Sequence, residues 1–268
     1  MHRLFLLRAY GDFVILLQAL MQSPQKNKYS LVVSKHLEPL YKELTLVIDL
    51  SSLPIQFVDF GINRSQLRLF TNKHLLNVGT LKELHKLKKF IQQNPNTKGQ
   101  DYIEQSTRIS ALYFLTGIAF KPMIDKQLVY TNYDLFFKNT GPKHYEIKAL
   151  DNVFILPDAR LQKRLLNMSI IETIQNYYTK IAVKTSIARF KHTIDKDDIV
   201  YTNFKELIMY IQSANFIIAA DSLPIHLAQL LNKPHFMLFP NGHPRNFITP
   251  YAVEYNSYGE FSNFKLPI

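Results

Sequence analysis

Three short stretches gather residue types that support group transfer, and each stands where an apolar run gives way to a helical pattern. The first is RAYGD, residues 8–12. Gly11 permits a tight turn or a close backbone approach. Asp12 has the chemistry of a general base for an acceptor proton, and it equally suits the N-cap of the helix that follows. The second is PDARLQKR, residues 157–164, where Arg160, Lys163 and Arg164 collect beside Pro157 and Asp158. Such a cluster either neutralises a diphosphate or forms an ordinary solvated basic face. The third is AADSLPIHLAQLLNKPHFMLFP, residues 219–240. Ser222 is placed to cap a helix whose first turn accommodates Pro224. His226, one turn in, reads as a ligand contact or as a satisfied core histidine. Asp221, at a strand end, is better suited to orienting main-chain amides than to moving protons.

These groups need elements that hold them. RLFLL, YSLVV, LPIQFVDF and the RLF of residues 68–70 have the apolar content of strands; FVILLQALMQ and HLEPLYKEL read as helices. TLKELHKLKKFIQQ is amphipathic, with Leu81, Leu84, Leu87, Phe90 and Ile91 on one face, Thr80 as the expected N-cap and Glu83 as its capping-box partner. STRISALYFLTGIAF reads as a more buried helix. The turn-rich KNTGPKHY, residues 138–145, marks a boundary. A second series follows, with NVFILP, KIAVKTS, NFIIAA and HFMLF as strands, and RLLNMSIIETIQNYYTK, FKELIMYIQSA and PIHLAQLLNK as helices. Alternation of strand and helix predicts an α/β chain of two parallel-sheet domains, residues 1–143 and 144–268. In such sheets ligands bind beyond the carboxyl ends of the strands, where all three polar stretches lie. Helix N-termini there offer free N–H groups to a phosphate.

Composition narrows the classes. The 268 residues carry a formal net charge of +11 and 47% hydrophobic residues, which fits a folded protein drawn to polyanions or phosphorylated molecules. With no cysteine, disulfides, thiolate catalysis and Cys-bound zinc are excluded. Arg8, Gly11 and Asp12 interrupt the N-terminal apolar run, so it is not read as a signal peptide, and no run reaches the ~18 apolar residues of a membrane span. A soluble, cytoplasmic protein is expected. The basic HKLKK, residues 85–89, suits peripheral contact with an anionic membrane, at its inner face. No nucleic-acid-binding motif accompanies the charge. Asp195-x-Asp197 has a spacing seen in metal sites, but its lysine-rich surroundings favour a solvated turn. No glycine-rich phosphate loop is present.

Taken together, the three stretches resemble the heptosyltransferase-like glycosyltransferases of family 9. Their Asp-Ser/Thr-Gly-x-x-His-Leu-Ala motif is matched by Asp221, Ser222, His226, Leu227 and Ala228, with Leu223 in place of the Gly. The LLRAYGDFVILLQAL segment is similar to the family's N-terminal strand, Gly-Asp turn and helix, and PDARLQKR to its phosphate-binding segment. The resemblance implies a GT-B fold, two Rossmann-like doubly wound domains facing a cleft. It implies inverting, metal-independent transfer of a sugar, such as the heptose of ADP-heptose, to a lipopolysaccharide-core or other cell-surface glycan or glycolipid. No cofactor is implied beyond the nucleotide-sugar donor itself. Asp12 becomes the catalytic base, Gly11 its backbone turn, and Arg160, Lys163, Asp221, Ser222 and His226 the donor site. Leu223 and the absence of a Gly-rich loop in KTSIARFKHT depart from the pattern. They motivate an alternative, an inactive GT-B-like protein that binds a nucleotide or glycan.

Overall fold

The computed structural model describes residues 1–7, 9–23, 26–61, 68–71, 74–103, 121–122, 150–160, 162–192, 196–240 and 252–255. The chain divides into two compact units, Met1–Asp134 and Leu135–Ile268. The expected boundary stretch 138–145 and the expected helix STRISALYFLTGIAF lie outside the described residues.

The first unit contains β1 (His2–Leu6), α1 (Tyr10–Gln22), β2 (Tyr29–Ser34), α2 (Glu38–Thr45), β3 (Ile55–Val58), β4 (Arg68–Thr71), β5 (His74–Asn77), α3 (Val78–Gln93), β6 (Asp101–Ile103) and β7 (Lys121–Pro122). A five-stranded sheet has the order β3-β2-β1-β6-β7, and its pairings are parallel. The strand read at residues 68–70 is real, but it pairs antiparallel with β5 in a separate two-stranded ribbon. Side-chain alternation along the strands feeds two faces. Phe5, Leu7 and Val32 pack with Phe60 and Leu87, and with Phe90 and Ile91 of α3. On α1, α2 and β3, the rings of Phe13, Tyr41 and Phe57 follow one another at 6.5 and 5.2 Å. Helix α3 begins at Val78, so Thr80 lies inside the helix and is not its cap. Asp12 is likewise not the N-cap of α1, which is Ala9.

The second unit contains β8 (Asn152–Leu156), α4 (Met168–Lys180), β9 (Lys184–Phe190), β10 (Ile199–Tyr201), α5 (Phe204–Ser213), β11 (Phe216–Ala220), α6 (Leu223–Leu230), β12 (His235–Pro240) and β13 (Ala252–Tyr255). Its six-stranded sheet has the order β10-β9-β8-β11-β12-β13, again with parallel pairings. Every residue of β11 is buried, as its unbroken apolar run requires of a central strand. Val153, Ile155, Phe216 and Ile218 pack against Ile170, Ile171, Ile174 and Tyr178 of α4. On the other face, Phe154 stacks on Tyr210 of α5 at 6.3 Å. The sheet is therefore covered on both sides.

Two helices of this unit begin on an asparagine cap. Asn167 accepts from Ile170 N at 2.9 Å at the start of α4. Asn203 accepts from Glu206 N at 2.9 Å at the start of α5, while Glu206 accepts from Thr202 N at 2.6 Å. The expected strand KIAVKTS is displaced: Ile181, Ala182 and Val183 close the end of α4, and β9 runs on through Phe190.

Candidate functional site

In the second unit the chain steps outward from β8 to β9 and β10, then returns to the other side of β8 to lay down β11, β12 and β13. β8 and β11 are neighbours, with Leu156 opposite Ala219. The chain leaves β8 toward α4 on one face and leaves β11 toward α6 beside α5. The two connections therefore part at the carboxyl edge, which is the point where open α/β sheets bind ligands. The first unit has the same device. The chain steps from β1 to β2 and β3, then returns to place β6 against the free side of β1. The turn that follows β1 carries Gly11 and Asp12 into the first turn of α1.

At the switch point of the second unit, three side chains converge. Asp221 leaves β11 and is buried, its carboxylate lying 2.8 Å from Arg164 Nη1 and 3.3 Å from His226 Nε2. The exposures of Asp221 and His226 are 7% and 6%, against 31% for Arg164. Arg164 reaches this position because the loop after β8 folds back on itself. Leu166 sinks into the core beside α4, its N–H donates to the Pro157 carbonyl at 3.0 Å, and a 3-10 turn over Gln162–Arg164 presents the guanidinium. The carboxylate beside Nε2 favours the imidazole tautomer protonated there. Among the described residues, the buried His226 Nδ1 and Arg164 Nε have no hydrogen-bond partner.

Ser222 occupies the N-cap position of α6 in extended conformation but makes no cap hydrogen bond. Its hydroxyl instead donates back to the Ala220 carbonyl at 3.3 Å. No side chain caps α1 or α2 either, whereas the N-termini of α4 and α5 are closed by asparagine. An uncapped N-terminus keeps N–H groups and a partial positive charge available to an anion. Leu223 is half-buried at the first position of α6, and Pro224 follows it in the first turn.

Of the other expected donor residues, Arg160 and Lys163 project into solvent on the same loop. Asp158 is turned away from the site and works as a strut. It accepts from Phe190 N at 2.8 Å and faces Arg189 Nη1 at 3.4 Å. Arg189 Nε also donates to Asp198 Oδ2 at 2.8 Å. Among the described residues no group of three metal-ligating side chains gathers; Asp197 is exposed, and Asp195 lies outside them. Below the site, His235 opens β12, and its Nδ1 donates to the Lys233 carbonyl at 2.7 Å. Burial lowers its pKa to about 4. The Lys233 carbonyl partly offsets this, and the nearby His226 adds to it. A second buried imidazole thus stays neutral beneath the first.

Sequence reading singled out Asp221, Ser222 and His226 but gave Arg164 no role apart from its basic neighbours. Leu166, two residues on, is buried and anchors the loop, but the sequence does not distinguish it from the half-buried Leu165 beside it.

No family model and no curated protein matches the chain. Solved structures do resemble it. E. coli heptosyltransferase WaaC with ADP-2-deoxy-2-fluoro heptose superposes with a TM-score of 0.54 at 11% identity, over 98% of this chain and 97% of that one. The same enzyme with ADP gives 0.53 at 10% identity, over 96% and 92%. A family 9 glycosyltransferase from Veillonella parvula DSM 2008 gives 0.53 at 11% identity, over 98% and 87%. The likeness spans both units, and at this identity it concerns the fold. The chain therefore has an α/β fold of the GT-B type, like those of the heptosyltransferase and the family 9 glycosyltransferase structures.

Proposed function

We propose that this protein is a glycosyltransferase that moves a sugar, such as a heptose, from a nucleotide diphosphate donor to a cell-surface glycan or glycolipid. The observation that carries this reading is the Arg164–Asp221–His226 set, placed at the switch point beside the uncapped N-terminus of α6. The donor diphosphate lies against that N-terminus. Arg164 contributes a planar fork of N–H donors, Lys163 and Arg160 add outer positive charge, and Asp221 fixes the directions of Arg164 and His226. As the glycosidic bond breaks, its electron pair passes to the leaving phosphate oxygen, and the same donors stabilise the charge that develops. They supply the counter-charge that a metal ion provides in other transferases.

Asp12 takes the proton of the acceptor hydroxyl. The hydroxyl oxygen then attacks the anomeric carbon from the side opposite the leaving group, so configuration inverts. The alternative, a fold that binds a nucleotide or glycan without transfer, is favoured by Leu223, whose side chain stands where close approach of a phosphate to backbone calls for glycine.

Thermal-shift titration with ADP, GDP, UDP and CDP tests the donor site. A ligand at 100 times its Kd adds about 2.7 kcal/mol of apparent stability, and the shift should disappear in His226→Ala. Asp12→Asn should keep the nucleotide shift and abolish turnover of the matching sugar nucleotide. A shift with no turnover in the wild type on any acceptor fraction points to the binding protein. No shift with any nucleotide rejects the donor site.

A further inference from the structure

His226 is the fourth residue of α6, about 5 Å from the helix start at 1.5 Å per residue. One oxygen of the buried Asp221 carboxylate lies 3.3 Å from its Nε2, and the other lies 2.8 Å from Arg164 Nη1. A single carboxylate thus faces two bases. With the imidazole neutral, the charges of Arg164 and Asp221 cancel. With the imidazole protonated, the trio carries one net positive charge. The ring's other nitrogen, Nδ1, is buried with no hydrogen-bond partner among the described residues, so no neighbour there stabilises a proton on it. A nucleotide sugar alters this balance, because each of its two phosphates is a diester with one negative charge. Two unit charges about 6 Å apart, at an effective dielectric of about 20, shift a proton equilibrium about a hundredfold.

We propose that His226 takes a proton from solvent as the donor diphosphate binds, so that the loaded site contains an imidazolium paired with Asp221. This rests on the donor reading above. Histidine is the side chain whose charge changes between pH 5 and 8, and here a carboxylate already faces the ring that gains the charge. The other titratable and charged groups around it do not serve. Arg164 is permanently charged. His235, on β12, is 1% exposed and has its Nδ1 on the Lys233 carbonyl, and burial holds it neutral. Helix α5, packed beside α6, brings Lys205, which is exposed, and Glu206, which accepts from Thr202 N. Its Tyr210 is stacked on Phe154. The captured proton adds positive charge beside the leaving diphosphate. By reciprocity, what favours the proton on binding makes affinity fall as pH rises.

Calorimetric titration with ADP-glucose, GDP-mannose and UDP-glucose tests this, since neither phosphates nor bases of these ligands titrate between pH 6 and 8. For a ligand that binds, titration at pH 7 in PIPES and in Tris, buffers of different ionisation heat, counts the protons taken up. The wild type should take up a substantial fraction of one proton, and its Kd should rise about tenfold from pH 6 to pH 8. His226→Gln should take up none and bind more weakly, with a Kd independent of pH. His235→Asn should take up as much as the wild type. Binding by the wild type without proton uptake overturns the proposal and leaves the donor site standing. Uptake retained in His226→Gln overturns it as well. If His226→Gln does not bind, the histidine Cε1–H resonances of the wild type decide. The resonance missing from the variant must move to the imidazolium position at pH 7 as ligand is added, and a resonance that stays in place overturns the proposal. Binding of none of the three sugar nucleotides rejects the donor site and the proposal together.

Discussion

Arg164 and Lys163 are adjacent, both basic, and placed differently: Arg164 is held over Asp221 while Lys163 projects outward. A charge-assisted hydrogen bond to a phosphate contributes about 1.5–3 kcal/mol, so Arg164→Gln should raise the Kd for the nucleotide diphosphate roughly 10- to 100-fold. An exposed charge contributes under about 1 kcal/mol, so Lys163→Gln should change it by about fivefold at most. Calorimetric titration of both variants decides which residue carries the site, and equal effects would reject the present assignment. His235 supplies a second prediction. Its folded-state pKa is depressed to about 4 from an ordinary 6.5, so the unfolded chain binds a proton that the folded chain refuses. Stability from this group is whole above pH 6.5 and is lost as pH falls toward 4, by roughly 3 kcal/mol in all. Urea unfolding at pH 7.5 and 4.5 should show a smaller loss in His235→Asn, whose amide retains a donor for the Lys233 carbonyl. At this scale the sequence displayed which residues are chemical, but not which way they turn. Asp221 and His226 announced themselves by following an apolar strand. Arg164 was hidden among its neighbours because its direction is set by Leu166 and a loop closure.

Among the elements, the strands were legible where a short apolar run met a turn, as in β1, β2, β8, β11 and β12. β9 was misplaced for two physical reasons. Helix α4 ends through Ala182 with φ of 58°, where a glycine would have announced the stop. The strand also contains Arg189, which breaks the apolar pattern yet is 4% exposed, because Asp198, itself 1% exposed, and Asp158 surround it. That trio joins the loop after β8 to the end of β9, and so bears on the loop that presents Arg164. Removing one member of a buried pair costs about 3–5 kcal/mol, since it strands the other charge. Asp198→Asn should accordingly lower stability by several kcal/mol, read as a shift in the urea midpoint. Asp197→Asn, one residue away and exposed, should stay within about 0.5 kcal/mol. A large effect at Asp197 would reject the assignment of the buried charge to Asp198.

At the scale of the whole molecule, the chain repeats one solution twice. Each unit builds a parallel sheet whose first strand gains a neighbour on its second side only after the chain has stepped away and come back. Each places expected catalytic or binding residues there: Gly11 and Asp12 in the first turn of α1, and Asp221, Ser222 and His226 from the end of β11 into α6. The alternation of strands and helices made this architecture readable. The two returns to β1 and β8 were not readable, because strand order depends on pairings between residues far apart in sequence. The division of chemistry has a measurable consequence. Donor contacts are assigned to the loop after β8 and to the start of α6, whereas Asp12 belongs to the other unit and is assigned to the acceptor. Hydrogen exchange followed by mass spectrometry, with and without saturating nucleotide diphosphate, should show slowed exchange in peptides covering 157–167 and 220–230. Ligand-induced ordering is expected there because those backbone N–H groups are the proposed phosphate ligands. Peptides covering 9–22 should change only when an acceptor is added. Protection by nucleotide at 9–22 and none at 220–230 would reverse the assignment of the two units and make Asp12 a donor-side residue.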